Sequence, residues 1–79
     1  FGVVRVTRLS QGRGGKTVTQ VQGLRGSSAQ LSVLGKQLRT TCGSGGTVKN
    51  GVIEIQGDHV LRVMAALEQT GLRVKRSGG

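Results

Sequence analysis

The stretch that most constrains the fold runs from Cys42 to Asp58, CGSGGTVKNGVIEIQGD. Asn50-Gly51 lies between two short strand-like runs, and this pair is typical of a two-residue hairpin turn because both positions must take positive φ. Ile53 and Ile55 alternate with polar residues, so one face of the second run is apolar. The stretch therefore predicts an antiparallel hairpin with one side against a core.

A helix is predicted directly after this hairpin. Gly57 ends the strand, and Asp58 can accept hydrogen bonds from the free amides at a helix start. Apolar residues then recur at helical spacing over residues 60–67. We therefore expect Asp58 to cap this helix and His59 to be exposed to solvent in its first turn.

Two strands joined by a glycine-rich loop are predicted at the start of the chain. Residues 2–9 alternate valine with polar residues, and residues 16–23 are rich in Thr and Val between glycines. The apolar residues of the second run do not alternate strictly, which predicts a β-bulge or a weakly fixed strand register there. The loop, residues 10–15 (SQGRGG), removes side-chain bulk and lets the backbone approach a partner closely.

The first helix is predicted from a cap at Ser27 or Ser28 to about Thr41. Its apolar side is a narrow stripe at helical spacing: Leu31, Leu34, Leu38 and Cys42. Gly35 weakens such a helix by about 1 kcal/mol relative to alanine, unless its small size serves close packing on a sheet. Lys36 and Arg39 lie off the stripe, so both are expected to face solvent.

The order of elements is β-β-α-β-β-α-β, with a last short strand around Val74. This order predicts an α+β fold, a two-layer α/β sandwich with two helices packed on one face of a mixed sheet. A chain of 79 residues forms one domain over residues 1–79. Because no methionine precedes Phe1, we expect an N-terminal extension outside this sequence.

The charge balance predicts a polyanionic partner. Twelve Lys and Arg residues stand against three acidic ones, a net charge of +9. No apolar run reaches the roughly 20 residues of a membrane span, and no signal peptide is visible. We therefore expect no membrane association, and nucleic acid is the favoured partner. The single Cys42 is consistent with a reducing compartment, so a cytoplasmic location is expected. For the oligomeric state, a monomer is the simpler expectation.

No catalytic, cofactor or metal site is predicted. Lys16-Thr17 after Gly15 superficially suggests a phosphate loop, but glycine is missing where Ser10 stands and a strand follows instead of a helix. Cys42 closes the apolar stripe, so burial is favoured over nucleophilic chemistry. His59 has no cluster of Cys or carboxylate at metal-ligand spacing. The chain is therefore expected not to be an enzyme.

Basic residues form two candidate nucleic-acid-binding groups. The first consists of Arg8, Arg13 and Lys16 around the glycine-rich loop, in which Gly14 and Gly15 separate Arg13 from Lys16. The second lies at the terminal strand and consists of Arg73, Lys75 and Arg76. Ordinary solvated surface is the competing interpretation of both. Phe1 is the only aromatic residue, so base stacking is excluded as the main mechanism. Binding through phosphates is predicted to weaken steeply with salt.

Three segments resemble one family: VTQVQGL at 18–24, GTVKNGVIEIQGDH at 46–59 and GLRVKRSGG at 71–79. They are similar to the translation initiation factor 1 family of eukaryotes and archaea, in its bacterial YciH-type branch. The resemblance implies a small α/β sandwich that binds the small ribosomal subunit near the P site and contacts rRNA. It also implies that the 13–16 loop and the exposed side of the first helix, with Lys36 and Arg39, form the contact surface.

A non-enzymatic initiation factor that influences the selection of start codon and initiator tRNA is the function expected from this resemblance. The expected partners are the small ribosomal subunit, rRNA, initiator tRNA and other initiation factors. Two alternatives remain open: a stress-related inhibitor of initiation acting at the same site, and a general RNA-binding protein or chaperone.

Overall fold

A five-stranded mixed sheet carries two helices on one face in the computed structural model, which describes residues 3–11 and 16–77. In chain order the elements are β1 (Val4–Gln11), β2 (Lys16–Gln22), α1 (Ser28–Cys42), β3 (Gly46–Lys49), β4 (Val52–Gln56), α2 (Val60–Gln69) and β5 (Val74–Arg76). The strands lie in the order β3-β4-β2-β1-β5, and only the β1–β5 pair is parallel. The predicted fold class and element order are confirmed.

The β3–β4 hairpin has the predicted turn. Asn50 and Gly51 take φ values of 52° and 76°, the left-handed backbone that a two-residue hairpin requires. Ile53 and Ile55 of β4 are fully buried. Both isoleucines share a face of the sheet with their partners in the register, Val21 and Thr19, which are buried as well. On this face they pack in the core with side chains of α1 and α2.

The predicted β-bulge is wrong. β1 and β2 pair without interruption from Arg5 opposite Gln22 to Gln11 opposite Lys16. The irregular valine pattern has another cause, since Thr19 is fully buried and occupies a core-facing position beside Val21. Strand alternation is therefore intact, with a polar residue at one of the buried positions.

Helix α1 begins and ends as its sequence indicates. Ser27 is the N-cap and forms a capping box with Gln30. The Gln30 amide donates to Ser27 Oγ, and the Ser27 amide donates to Gln30 Oε1. Gly43 closes the helix with φ 63°. Gly35 is buried, and a Cβ added there would lie 2.5 Å from Val48 Cγ2. The glycine therefore serves close packing of α1 on β3.

The predicted cap of α2 is wrong by one residue. His59 is the N-cap, and no side chain caps the helix. Thr19 binds this junction instead: its hydroxyl accepts from the His59 amide and donates to the Gly57 carbonyl, both at 2.8 Å. His59 is half-buried rather than exposed, with Nε2 3.0 Å from Ser44 Oγ. A buried threonine from β2 thus fixes the junction before α2, and it does so through the amide of the N-cap residue.

The core lies between the sheet and the helices. Its fully buried side chains come from both layers: Val6, Val21, Ile53, Ile55, Leu38, Val63 and Leu67. Helix α1 lies over β3 and β4, whereas α2 lies over β1 and β5. No helix in the described part of the chain has the length and apolar character needed to cross a membrane.

Candidate nucleic-acid interface

One end of the sheet, here called the loop end, brings the base of the β1–β2 loop to the C-terminal end of α1. Lys16 opens β2, and two residues later Val18 pairs with Gln56 at the end of β4. The Gln56 amide donates to the Gly45 carbonyl at 2.8 Å, just after α1 ends. The end of the first helix therefore lies beside the loop that carries the predicted basic residues.

Helix α1 contributes two of the predicted site residues, and one of them, Arg39, has a contact at the loop end. Lys36 is exposed, as expected. Arg39 is half-buried, and its Nη1 donates to the Gly46 carbonyl at 3.3 Å, so the expectation that it faces solvent is wrong. The bond fixes the guanidinium against the start of β3, and a cation in the last turn also complements the helix dipole. A guanidinium has five N–H donors, so this anchored group can still bind an anion.

Arg8 and Lys16 lie on opposite faces of the β1–β2 hairpin. Arg8 pairs with Thr19 and so points to the helix side of the sheet, whereas Lys16 shares the other face with Val18. Both side chains are exposed. The basic residues therefore flank the loop from two sides instead of forming one flat patch. Arg13, Gly14 and Gly15, the other loop residues of the prediction, lie outside the described residues.

The predicted terminal group does not form a single cluster. Arg76 pairs with Val6 in the parallel β1–β5 ladder, so it lies on the same face as Arg8, two residues away along β1. Lys75 lies on the opposite face. Arg73 precedes β5, and its carbonyl accepts from the Val4 amide at 2.9 Å, at the end of β1 far from the loop. Only Arg76 of this group continues the surface around Arg8.

The sheet face without helices carries a basic residue, Arg5, that the sequence interpretation left out, together with two that it included. Arg5 pairs with Lys75, and Lys16 lies on the same face toward the loop end. The acid on this face, Glu54, accepts a bond from Gln20 Nε2 at 3.1 Å. Alternation along β1 placed Arg5 on the polar side, but its proximity to Lys75 depends on a parallel pairing between the two ends of the chain. Local patterns give no signal of such a pairing.

Among the titratable groups of the described residues, the thiol of Cys42 has a shifted pKa. Cys42 is buried, as predicted, and this burial raises the pKa of its thiol, although nearby Arg62 partly offsets the shift. Residues 3–11 and 16–77 contain no group of three or more His, Cys, Asp or Glu side chains that could hold a metal ion. The chemistry that the site offers is a set of exposed cations around a loop.

Comparison with known families gives one match over most of the chain. The family model described as translation initiation factor SUI1 matches residues 2–73. The matched range contains both helices and four of the five strands, together with the whole β1–β2 loop.

Relatives come from bacteria and archaea. The YciH protein of Salmonella typhimurium is 44% identical over 78 residues, covering 99% of this chain and 72% of the relative. The Escherichia coli YciH protein is 46% identical with the same coverage. A protein translation factor SUI1 homolog from Sulfurisphaera tokodaii is 44% identical over 64 residues, covering 81% of this chain and 64% of the relative.

Proposed function

The chain belongs to the translation initiation factor SUI1 family, and from this membership we propose that it acts without catalysis on the small ribosomal subunit. In this proposal it binds near the P site, contacts phosphates of rRNA and initiator tRNA, and influences start-codon and initiator selection. It acts as a monomer in the cytoplasm, alongside other initiation factors.

The observation that carries this proposal is the position of the cations at the loop end. Arg8 and Lys16 flank the β1–β2 loop from its two faces, and α1 brings Arg39 to the same end. Arg13 belongs to the loop sequence itself. Cations on both faces of the sheet beside the loop suit a contact with RNA in which phosphates approach from more than one side.

The contacts would be electrostatic and shape-dependent. Residues 3–11 and 16–77 contain no Phe, Tyr or Trp side chain, so base stacking on such rings is not the main mode of contact. Loop glycines remove side chains that would hold the backbone away from the phosphates. Arg39, fixed by its bond to the Gly46 carbonyl, is ordered before binding and loses little side-chain entropy on contact.

Co-sedimentation with isolated small ribosomal subunits tests the assignment. The intact protein is expected to sediment with the subunits, and the Arg13→Ala, Lys16→Ala double variant is expected to lose most of this binding. The matched control is Arg25→Ala with Lys49→Ala, which also removes two charges but at the far end of the sheet. Absence of binding by the intact protein would contradict the proposal. An equal loss of subunit binding in both double variants would exclude the loop from the proposed contact surface.

A reconstituted initiation assay tests the direction of the effect. A factor of the proposed kind is expected to increase the share of complexes formed at correct start codons with initiator tRNA. A protein that lowers all complex formation equally, with unchanged discrimination, would instead be an inhibitor at the same site.

A further inference from the structure

A groove of about 510 Å³ lies at the end of the sheet opposite the loop end. It is formed where the start of β1, the segment after β2, α1 and the α2–β5 connection meet. Its walls are aliphatic and two arginines stand among them: Val4, Leu24, Leu34 and Leu72, with Arg25 and Arg73. A volume of this size falls in the range of roughly 300–1,000 Å³ that is usual for ligand pockets.

The apolar wall of this groove is open to solvent. Leu72 is 38% exposed, while Leu24 and Leu34 are half-buried at the margin of the core. Val4 beneath them is 3% exposed and belongs to the core. An apolar side chain from a partner would therefore contact a surface that is continuous with the hydrophobic core, a setting typical of binding hot spots.

The charge at the groove has one sign. Arg25 and Arg73 are both exposed. The three acidic residues of the chain, Glu54, Asp58 and Glu68, are not among the residues that line the groove. An occupant with carboxylates on either side of its apolar anchor would match the groove in both respects.

We propose that this groove binds an acidic protein segment that inserts a leucine- or phenylalanine-sized side chain between Leu24, Leu34 and Leu72 and pairs its carboxylates with Arg25 and Arg73. RNA fits the groove less well, because the walls are aliphatic and give a base no aromatic ring on which to stack. The site is independent of the loop end. The two ends of β1, Val4 and Gln11, are about 23 Å apart at the usual rise per strand residue, so a peptide and RNA can bind together.

Fluorescence anisotropy with two labelled peptides tests the proposal. The probe is a short peptide of Asp and Glu residues around two leucines and a phenylalanine, and the comparison peptide replaces those three apolar residues with serine. The probe is expected to bind at least about tenfold more tightly than the comparison peptide, since tenfold corresponds to about 1.4 kcal/mol, a modest anchor contribution. Equal binding of the two peptides would show charge attraction alone and overturn the proposal.

Matched variants locate the contact. Leu72→Ser is expected to weaken probe binding about tenfold. Its control is Leu61→Ser, which removes a leucine that is more exposed, at 74%, but lies on α2 outside the groove. Arg73→Gln is expected to weaken binding severalfold, and Arg62→Gln serves as its control. Circular dichroism checks that each variant is folded. If Leu72→Ser unfolds, the comparison of Arg73→Gln with Arg62→Gln, both at exposed residues, tests the contact instead.

Other occupants give different results. Concentration-dependent dimerisation that Leu72→Ser abolishes would show that a second copy of the chain fills the groove. A uridine oligomer that displaces the probe, and that binds less well to Arg73→Gln than to Arg62→Gln, would show an RNA site. Either result overturns the assignment to an acidic peptide without bearing on binding of the small subunit, which is measured separately with the loop variants.

Discussion

At the scale of single residues, Gly35 shows how one missing side chain sets the distance between two layers. It lies in the middle of α1, where alanine would favour the helix, yet a Cβ at this position would lie 2.5 Å from Val48 Cγ2. Valine is branched at Cβ and cannot swing its methyl group away freely. At this position, close packing of α1 on β3 outweighs the helix propensity that alanine would add.

Gly35→Ala is expected to destabilise the protein by up to about 2 kcal/mol, since overpacking costs about 1–3 kcal/mol and the gain in helix propensity offsets about 1 kcal/mol of it. In a Val48→Ala background the same change is expected to stabilise, because the contact is gone. Ser32→Ala, on the exposed side of α1, is the control and should stabilise slightly. Urea unfolding measures all four variants, and a stabilising Gly35→Ala in the intact background would contradict the packing account.

Cys42 makes the stability of the protein depend on pH. Burial raises the pKa of its thiol above the ordinary value of 9.0, so the unfolded chain loses this proton at a lower pH than the folded one. The stabilising contribution of the neutral thiol is complete below 9.0 and is lost as pH rises through the higher, folded-state value. We expect the difference in unfolding free energy between the intact protein and Cys42→Ala to shrink over that interval. Denaturant unfolding at several pH values measures it, and parallel pH curves would be the contrary result.

At the scale of elements, the start of α2 depends on β2 rather than on its own sequence. Thr19→Val keeps the shape of the side chain but leaves the His59 amide and the Gly57 carbonyl without their bonds, at an expected cost of about 1–3 kcal/mol. Thr19→Ser keeps the hydroxyl and should retain most of the stability. Asp58→Ala is expected to change stability by no more than about 0.5 kcal/mol. Thermal unfolding compares the three, and a larger loss for Asp58→Ala than for Thr19→Val would restore the cap at Asp58.

Elements whose signals are local were predictable from the sequence. The Asn50-Gly51 turn, the capping box at Ser27 and the glycine end of α1 each depend on residues within a few positions of one another. The cap of α2 was not predictable, because Thr19 reaches His59 across 40 positions of sequence. The interrupted valine pattern of β2 suggested a bulge for the same reason, since the partner that makes a buried threonine acceptable lies far along the chain.

The candidate interface was predictable in composition but not in arrangement. Charge and loop glycines indicated which residues are basic and accessible. Strand pairing then separated Arg73 from Lys75 and Arg76, and it brought Arg5 beside Lys75 through a parallel ladder between the first and last strands. The groove around Leu72 had no local signal, because four separate segments supply its walls.

At the scale of the whole molecule, the proposed function assigns phosphate contacts to those of the twelve basic residues that lie at the loop end. Each phosphate contact contributes about 0.7–0.9 to the slope of log affinity against log salt. The Arg13→Ala, Lys16→Ala variant is therefore expected to lower the magnitude of that slope by about 1.4–1.8 in binding to small subunits. Arg25→Ala with Lys49→Ala should leave the slope nearly unchanged. Titrations at several salt concentrations measure it, and equal slopes for the loop variant and the intact protein would place the phosphate contacts elsewhere.

In the proposed function, the cations at the loop end bind the small ribosomal subunit and not RNA in general. The most direct test is the affinity of the intact protein for isolated small subunits compared with its affinity for arbitrary RNA at the same salt concentration. We predict markedly tighter binding to the subunit, with the difference lost in the Arg13→Ala, Lys16→Ala variant. Equal affinity for both would contradict the claim and identify a general RNA-binding protein.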